Sequence, residues 1–154
     1  MNGTLKFKLV GLDSNIFIYL FDENPEFIKN CHLIFNLLDQ GKLEAVTSII
    51  SVIEALSYPS TPSVLKAIQE GFKNISNLTV VEVGHGIGIE AAKIRREYGF
   101  RTPDAIQLAT AKLSKANAYI TTDHRLKNYK KLKVIILSEL KPEEFEKIVG
   151  KKKV

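Results

Sequence analysis

The chain contains 154 residues, of which 45% are hydrophobic and 25% are charged. This length and composition fit one domain with one sizeable core and exclude a largely disordered chain. The net charge of +5 favours a polyanionic partner such as nucleic acid, although the lysines at 151–153 supply part of that excess.

Two further features exclude other classes of protein. Cys31 is the only cysteine, so neither an intrachain disulfide nor a thiolate metal cluster can form. The apolar stretch at 9–12 is far too short for a signal-peptide core or a membrane span. We therefore expect a soluble, cytoplasmic protein that has no membrane partner.

The first quarter of the chain predicts a strand followed by two helices. Residues 6–12 become wholly apolar toward their end, which is typical of a parallel strand that is covered on both faces. Asp13 would then lie at the carboxyl end of this strand. A short helix over 15–20 follows, capped by Ser14 or Asp13, and apolar residues recur at helical spacing over 26–39.

The next strand and helix bring a polar line into apolar surroundings. The strand covers 44–47, and Ser48 can cap the helix over 49–56. Ser51 and Glu54 are three residues apart and therefore share one face of an otherwise apolar helix. We interpret this line as part of a functional site.

The rest of the chain alternates between helices and strands. A proline-rich break at 58–62 is followed by a predicted helix to about 75, a strand at 78–83 and a helix at 90–98. A further helix begins at Thr102. The predicted elements after it are a strand at 118–121, a short polar helix or turn at 125–130, a strand at 134–137 and a helix at 142–149. The glycine-rich segment 84–88 lacks the Walker lysine and predicts only a flexible lead-in to a helix. Strands that alternate with helices imply an α/β fold with a mainly parallel sheet.

Four acidic residues are expected at one edge of this sheet. In open parallel α/β sheets, functional groups gather beyond the carboxyl ends of the strands. Asp13 follows the first strand, and Asp123 follows the strand that ends at Thr121. Glu54 lies in the helix after the second strand, and Asp104, in the first turn of its helix, can reach the same edge.

Four convergent carboxylates predict a bound cation. They repel one another at neutral pH, and without a cation some of them must take up protons. Mg²⁺ or Mn²⁺ prefers oxygen ligands and removes this conflict. Such ions activate water for attack on phosphorus, and two ions about 3.5–4 Å apart can divide the work. We therefore predict phosphodiester hydrolysis, which requires no catalytic His or Cys.

The order of these motifs resembles that of the PIN-domain nucleases, and among them the small toxin ribonucleases of the VapC type. The resemblance covers nearly the whole chain and rests on four motifs: Leu12-Asp13-Ser14-Asn15, Thr47-Ser48 leading to Glu54, Asp104-Ala105-Ile106-Gln107-Leu108-Ala109-Thr110-Ala111, and Ile120-Thr121-Thr122-Asp123. It implies a three-layer α/β/α single domain over 1–150 with roughly five strands, followed by a basic tail at 151–154. It also implies an Mg²⁺ or Mn²⁺ site and cleavage of single-stranded RNA.

The resemblance also implies residue roles and partners. The residues that match the family's catalytic and metal-binding acidic quartet are Asp13, Glu54, Asp104 and Asp123. Asn15 and Thr121 match its supporting polar positions. A homodimer and a small antitoxin protein that blocks the site are further implications, and the apolar helices at 14–20 and 49–56 offer surfaces for them.

Two arginines and several alternatives complete the hypothesis. Arg101 and Arg125 lie near acids of the quartet in sequence and are expected to hold RNA phosphates, because the planar guanidinium matches phosphate well.

Each acid alone has another explanation, as a helix cap, a first-turn acid or a turn residue. A noncatalytic RNA-binding or scaffold domain stays open, as does a housekeeping nuclease. A phosphotransfer domain ranks lower, because Asn15 stands where a haloacid dehalogenase phosphatase needs its second aspartate.

Overall fold

The computed structural model describes residues 7–149, which fold around a parallel sheet. The strands are β1 (Leu9–Leu12), β2 (Glu44–Ser48), β3 (Leu78–Val81), β4 (Ala118–Thr121) and β5 (Lys133–Ile136). Their order across the sheet is β3-β2-β1-β4-β5, and all of these neighbours pair in parallel. The chain thus adds β2 and β3 on one side of β1 and then crosses over to add β4 and β5 on the other side. The change of direction falls between β1 and β4, which is where ligands bind in open α/β sheets.

Helices cover both faces of the sheet. They are α1 (Ser14–Phe21), α2 (Ile28–Asp39), α3 (Ile49–Leu56), α4 (Pro62–Asn74), α5 (His85–Tyr98), α6 (Thr102–Leu113) and α7 (Pro142–Ile148). Apolar side chains of α1 to α4 and α7 share one core with Val10 and Leu12 of β1. Those of α5 and α6 share a second core, on the face where Leu9 and Tyr119 lie. Because side chains alternate along a strand, each strand feeds both cores, and the predicted three-layer α/β/α fold is confirmed.

A glycine sets the distance between β1 and α6. A side chain at Gly11 would place its Cβ 2.6 Å from the Cβ of Ala111 and 3.0 Å from Cδ2 of Tyr119. Atoms at such distances overlap, so only glycine lets this helix lie so close to the strand. The close approach brings the N-terminal turn of α6 to the carboxyl edge of the sheet.

The glycine-rich segment differs from its prediction. It forms the first turns of α5, which begins at His85, with Gly84 as the N-cap residue. Ile87, Ala91 and Ile94 all pack into the second core, at spacings that repeat one face of a helix. This burial outweighs the low helix propensity of glycine.

Three smaller points complete the comparison with the predictions. The predicted polar turn at 125–130 is a 3₁₀ helix over His124–Asn128, and a second 3₁₀ turn covers Leu137–Glu139. The predicted basic tail at 151–154, and the start of the first strand at residue 6, lie outside the described residues. None of the helices in the described part of the chain has the length and hydropathy needed to cross a bilayer.

Candidate functional site

Asp13 lies where β1 passes into α1. Its backbone N–H still bonds to the carbonyl of Ile120 in β4 (3.0 Å), and its carbonyl already accepts from Ile16 of the helix (3.1 Å). The backbone is extended at this residue, as an N-cap requires, and the side chain accepts a bond from the N–H of Ser14. The predicted helix cap and the predicted site residue are therefore the same carboxylate.

Burial dominates the electrostatics of Asp13. Its side chain accepts a 2.6 Å hydrogen bond from the Thr121 hydroxyl and a 2.8 Å bond from the Ser14 N–H. Burial raises the pKa of this carboxyl; these two bonds lower it in part, and the charge of Asp104 raises it again. A buried carboxylate that is bonded but lacks a positive partner attracts a cation.

Glu54 projects from α3 toward the same group. Burial raises the pKa of its carboxyl, and the charges of Asp13 and Asp104 raise it further. The Ser14 hydroxyl and, more weakly, Arg101 act in the opposite direction. Glu54 is therefore electrostatically coupled to both of these aspartates, although each comes from a different element.

Asp104 occupies the first turn of α6, and 15% of its side chain is exposed. Burial raises its pKa, Asp123 raises it also, and the two arginines lower it. Its Oδ2 lies 3.7 Å from Nε of Arg101 and 4.0 Å from Nη2 of Arg125. Asp104 is thus within ion-pair distance of both arginines that are predicted to hold phosphate.

Asp123 has a much closer cationic partner than Asp104 has. Arg125 binds it in the side-by-side geometry of a guanidinium–carboxylate pair, with Nη2–Oδ2 at 2.6 Å and Nε–Oδ1 at 3.1 Å. These bonds hold the pKa of Asp123 below its usual value. Asp123 also caps the 3₁₀ helix through the Arg125 N–H (2.9 Å), and its own N–H bonds to the Thr121 hydroxyl (3.1 Å).

The two predicted supporting residues have different surroundings. Thr121 is buried and touches the quartet directly, since its hydroxyl joins Asp13 to the backbone of Asp123. Asn15 instead donates to the Thr122 hydroxyl at 3.3 Å and so ties the start of α1 to the loop after β4.

The sequence did not predict the buried hydrogen-bond network that joins Gln107, Ser14, Ser51 and Thr47, although each of these residues lies in a motif quoted above. Gln107 of α6 contacts hydroxyls on α1 and α3, and the network continues to Thr47 at the end of β2. Thr47 in turn donates to the carbonyl of Leu12, at 2.7 Å. The available signal is that Gln107 follows Asp104 by three residues, and thus by about one helical turn, within a run of small apolar residues.

The arrangement offers oxygen ligands for a metal. Within residues 7–149, no three His, Cys, Asp or Glu side chains already converge on one ion position. Asp123 is turned toward Arg125, while the carboxylates of Asp13, Glu54 and Asp104 are coupled and lack an equivalent partner. Hard oxygen donors with raised pKa values fit Mg²⁺ or Mn²⁺ better than a soft metal.

Known structures share this fold. A chain in a toxin-antitoxin complex from Klebsiella pneumoniae is 24% identical, with a TM-score of 0.62, and the match covers 86% of this chain and 99% of that one. DNA-bound VapBC from Salmonella typhimurium gives 22% identity, a TM-score of 0.64 and coverage of 85% and 98%. VapBC2 from Rickettsia felis, bound to a DNA fragment from its promoter, gives 15%, 0.65, 83% and 98%. At these identities the likeness establishes the fold.

Sequence families give a more specific result. Comparison with curated proteins produced no match. The sequence pattern of the PIN domain matches residues 10–132, which include all four acids, both arginines and the carboxyl ends of β1 to β4, and which stop just before β5. Since this match spans most of the chain, the chain belongs to the PIN domain family.

Proposed function

We propose that this protein is a metal-dependent endoribonuclease that hydrolyses phosphodiester bonds in single-stranded RNA. The observation that carries the proposal is that Asp13, Glu54 and Asp104 come together near the point where the strand order of the sheet reverses, partly buried and close enough for the charge of Asp104 to raise the pKa of the other two. Burial and repulsion both oppose ionisation of these groups, so the folded chain spends stability on keeping them together. A functional site explains that cost better than a structural role does.

The residues that would hold Mg²⁺ or Mn²⁺ are Asp13, Glu54, Asp104 and Asp123. When bound, such an ion supplies a nucleophilic water at neutral pH and neutralises charge on the phosphate. Thr121 and the Ser14 N–H fix the orientation of the Asp13 carboxylate. Arg125 holds the pKa of Asp123 below its usual value, which favours the ionised form that a metal ligand requires.

Arg101 and Arg125 are the proposed phosphate-binding residues. Their side chains are 74% and 63% exposed, and both lie within 4.0 Å of Asp104. An exposed guanidinium beside the acids can contact a phosphate that flanks the scissile bond. If Arg125 leaves Asp123 for the RNA, one movement frees both a metal ligand and a phosphate-binding group.

We propose further that the protein is the toxin of a toxin-antitoxin pair. The solved neighbours named above come from such complexes, which supports a cognate antitoxin partner. A groove of about 240 Å³ lies between α1, α3 and α4, lined by apolar side chains that include Ile18, Phe21 and Val64. This groove adjoins both helices predicted as interfaces, and it suits an apolar antitoxin segment. A homodimer and a cytoplasmic location are part of the same proposal.

Cleavage of a mixed-sequence single-stranded RNA tests the proposed activity. We expect cutting with Mn²⁺ or Mg²⁺, none with EDTA, and loss of cutting in Asp104→Asn. Glu44→Gln is the matched control, because Glu44 is an exposed acid at the opposite end of the sheet. RNA binding without cleavage, and without any stabilisation of the fold by Mn²⁺, would instead identify a noncatalytic RNA-binding or scaffold domain.

A further inference from the structure

Gln107 is a buried amide at the centre of the candidate site. It lies one turn after Asp104 in α6, and only 2% of it is exposed. Its neighbours along the helix are small or aliphatic, from Ala105 to Ala109. A primary amide in such surroundings is costly unless its donors and its acceptor are all paired.

The amide is paired on both sides. Its Nε2 donates to the hydroxyl of Ser14 in α1 at 3.0 Å and to that of Ser51 in α3 at 2.8 Å. Its Oε1 accepts the backbone N–H of Ser48 at 3.2 Å. The Ser48 N–H can only donate, so it fixes which end of the amide faces β2 and which faces the two hydroxyls.

The two hydroxyl partners of Gln107 each lie close in sequence to an acid of the site. Ser14 follows Asp13 directly, and Ser51 precedes Glu54 by about one helical turn. Gln107 itself follows Asp104 by about one turn. Therefore a single side chain connects the three segments that carry the three coupled carboxylates.

The chemistry of this position favours a neutral group. Gln107 bonds to the neighbours of Asp13 and Glu54 and shares α6 with Asp104. A glutamate at this position would add one more buried negative charge next to these acids and would repel them. A leucine of similar length would leave the Ser48 N–H and two hydroxyls with fewer partners. An amide both donates and accepts without adding charge.

We propose that Gln107 is a positioning residue that sets the relative placement of Asp13, Glu54 and Asp104, and thereby the efficiency of the metal-dependent reaction. The inference rests on the proposed nuclease function. It concerns kcat and metal binding rather than RNA binding, because Gln107 is buried and faces away from solvent. Partners that orient metal ligands typically account for about 10–100-fold in activity or metal affinity.

The test compares Gln107→Leu with Thr110→Val. Thr110 lies about one turn further along α6, is buried, and bonds only to the Ile106 carbonyl of its own helix in the described hydrogen bonds (2.8 Å). Its substitution also removes a buried hydrogen bond, but that bond stays within α6 and makes no link to the segments that carry Asp13 and Glu54. We expect Gln107→Leu to lower kcat about 10–100-fold and to raise the Mn²⁺ concentration for half-maximal rate, with KM for RNA within about twofold. Thr110→Val should keep both values.

A milder variant and the wild type decide the remaining outcomes. If Gln107→Leu does not fold, Ser51→Ala removes one bond of the amide, and we expect a smaller fall in kcat together with a higher Mn²⁺ requirement. Unchanged kcat and Mn²⁺ dependence, in a wild type that cleaves RNA, would overturn the role of Gln107 and leave the nuclease function standing. A wild type with neither metal-dependent cleavage nor a Mn²⁺ response would overturn the nuclease function, and the positioning role with it.

Discussion

Thr121→Val tests whether the Asp13 carboxylate is held ionised by its neighbours. The two side chains have nearly the same shape, so the substitution mainly removes a hydroxyl. That hydroxyl donates to Asp13 at 2.6 Å and accepts from the Asp123 N–H at 3.1 Å. A hydrogen bond to a charged group contributes about 1.5–3 kcal/mol. Because Asp13 stays buried, we expect the metal-free variant to lose about 2 kcal/mol of unfolding free energy at a pH high enough to ionise Asp13.

The assay is urea unfolding in EDTA, followed by far-UV circular dichroism because the chain has no tryptophan. Burial raises the pKa of Asp13, and the Thr121 bond lowers it in part. The bond therefore stabilises the ionised form of Asp13, and its removal raises the pKa of Asp13 further in the folded variant. The deficit in unfolding free energy of Thr121→Val should be full above the variant's pKa and should shrink as the pH falls from there through the wild-type pKa. Thr121→Ser is the control, because it keeps the hydroxyl and loses only one methyl group. We expect its unfolding free energy to fall by about 1 kcal/mol, with little dependence on pH. Equal deficits in the two variants at every pH would refute the reasoning.

Two other predictions concern packing and RNA binding. In Gly11→Ala the new Cβ would lie 2.6 Å from the Cβ of Ala111, so we expect the free energy of unfolding, measured in urea, to fall by about 1–3 kcal/mol. Gly88→Ala is the control: its new Cβ has open space around it, so the free energy of unfolding should not fall. Arg125→Gln should weaken RNA binding, measured by anisotropy in an Asp104→Asn background, and should reduce the salt dependence of log K by about 0.7 for one lost phosphate contact. A Gly88 variant as damaged as the Gly11 variant, or an unchanged salt slope, would contradict these arguments.

The fold was predictable because its signals are local. Largely apolar strands predict a parallel sheet, and topology alone places the acids that follow β1 and β4 at the edge of that sheet. Asp13 and Asp123 are far apart in sequence, yet both lie at that edge because β1 and β4 are neighbours. The start of α5 was not predictable from propensity, since burial of Ile87 and its neighbours overrides the glycines.

The interior of the site was less predictable because its signals are long-range. Gln107 donates to Ser14, 93 residues away in sequence, and nothing local to either residue indicates the other. Likewise, the sequence places Arg125 near Asp123, but only the structure shows that the two side chains form a close ion pair; the phosphate-binding role of Arg125 stays a prediction. Local patterns predict which residues reach the sheet edge, but the pairing among them depends on how the helices pack.

Two acids of the site, Glu54 and Asp104, come from helices on opposite faces of the sheet. Glu54 comes from α3, whose apolar side chains pack in the core with β1, α1 and α2, and Asp104 comes from α6, which packs in the opposite core. Neither layer alone brings the two acids together, and Gln107 bonds across the sheet edge between them. Repulsion among the carboxylates opposes this meeting, while burial of both cores and the amide bonds drives it. The acidic group therefore assembles only when both cores are packed. If the proposed metal site is present, a variant that loosens either layer should lose its stabilisation by Mn²⁺ before it loses its far-UV circular dichroism signal.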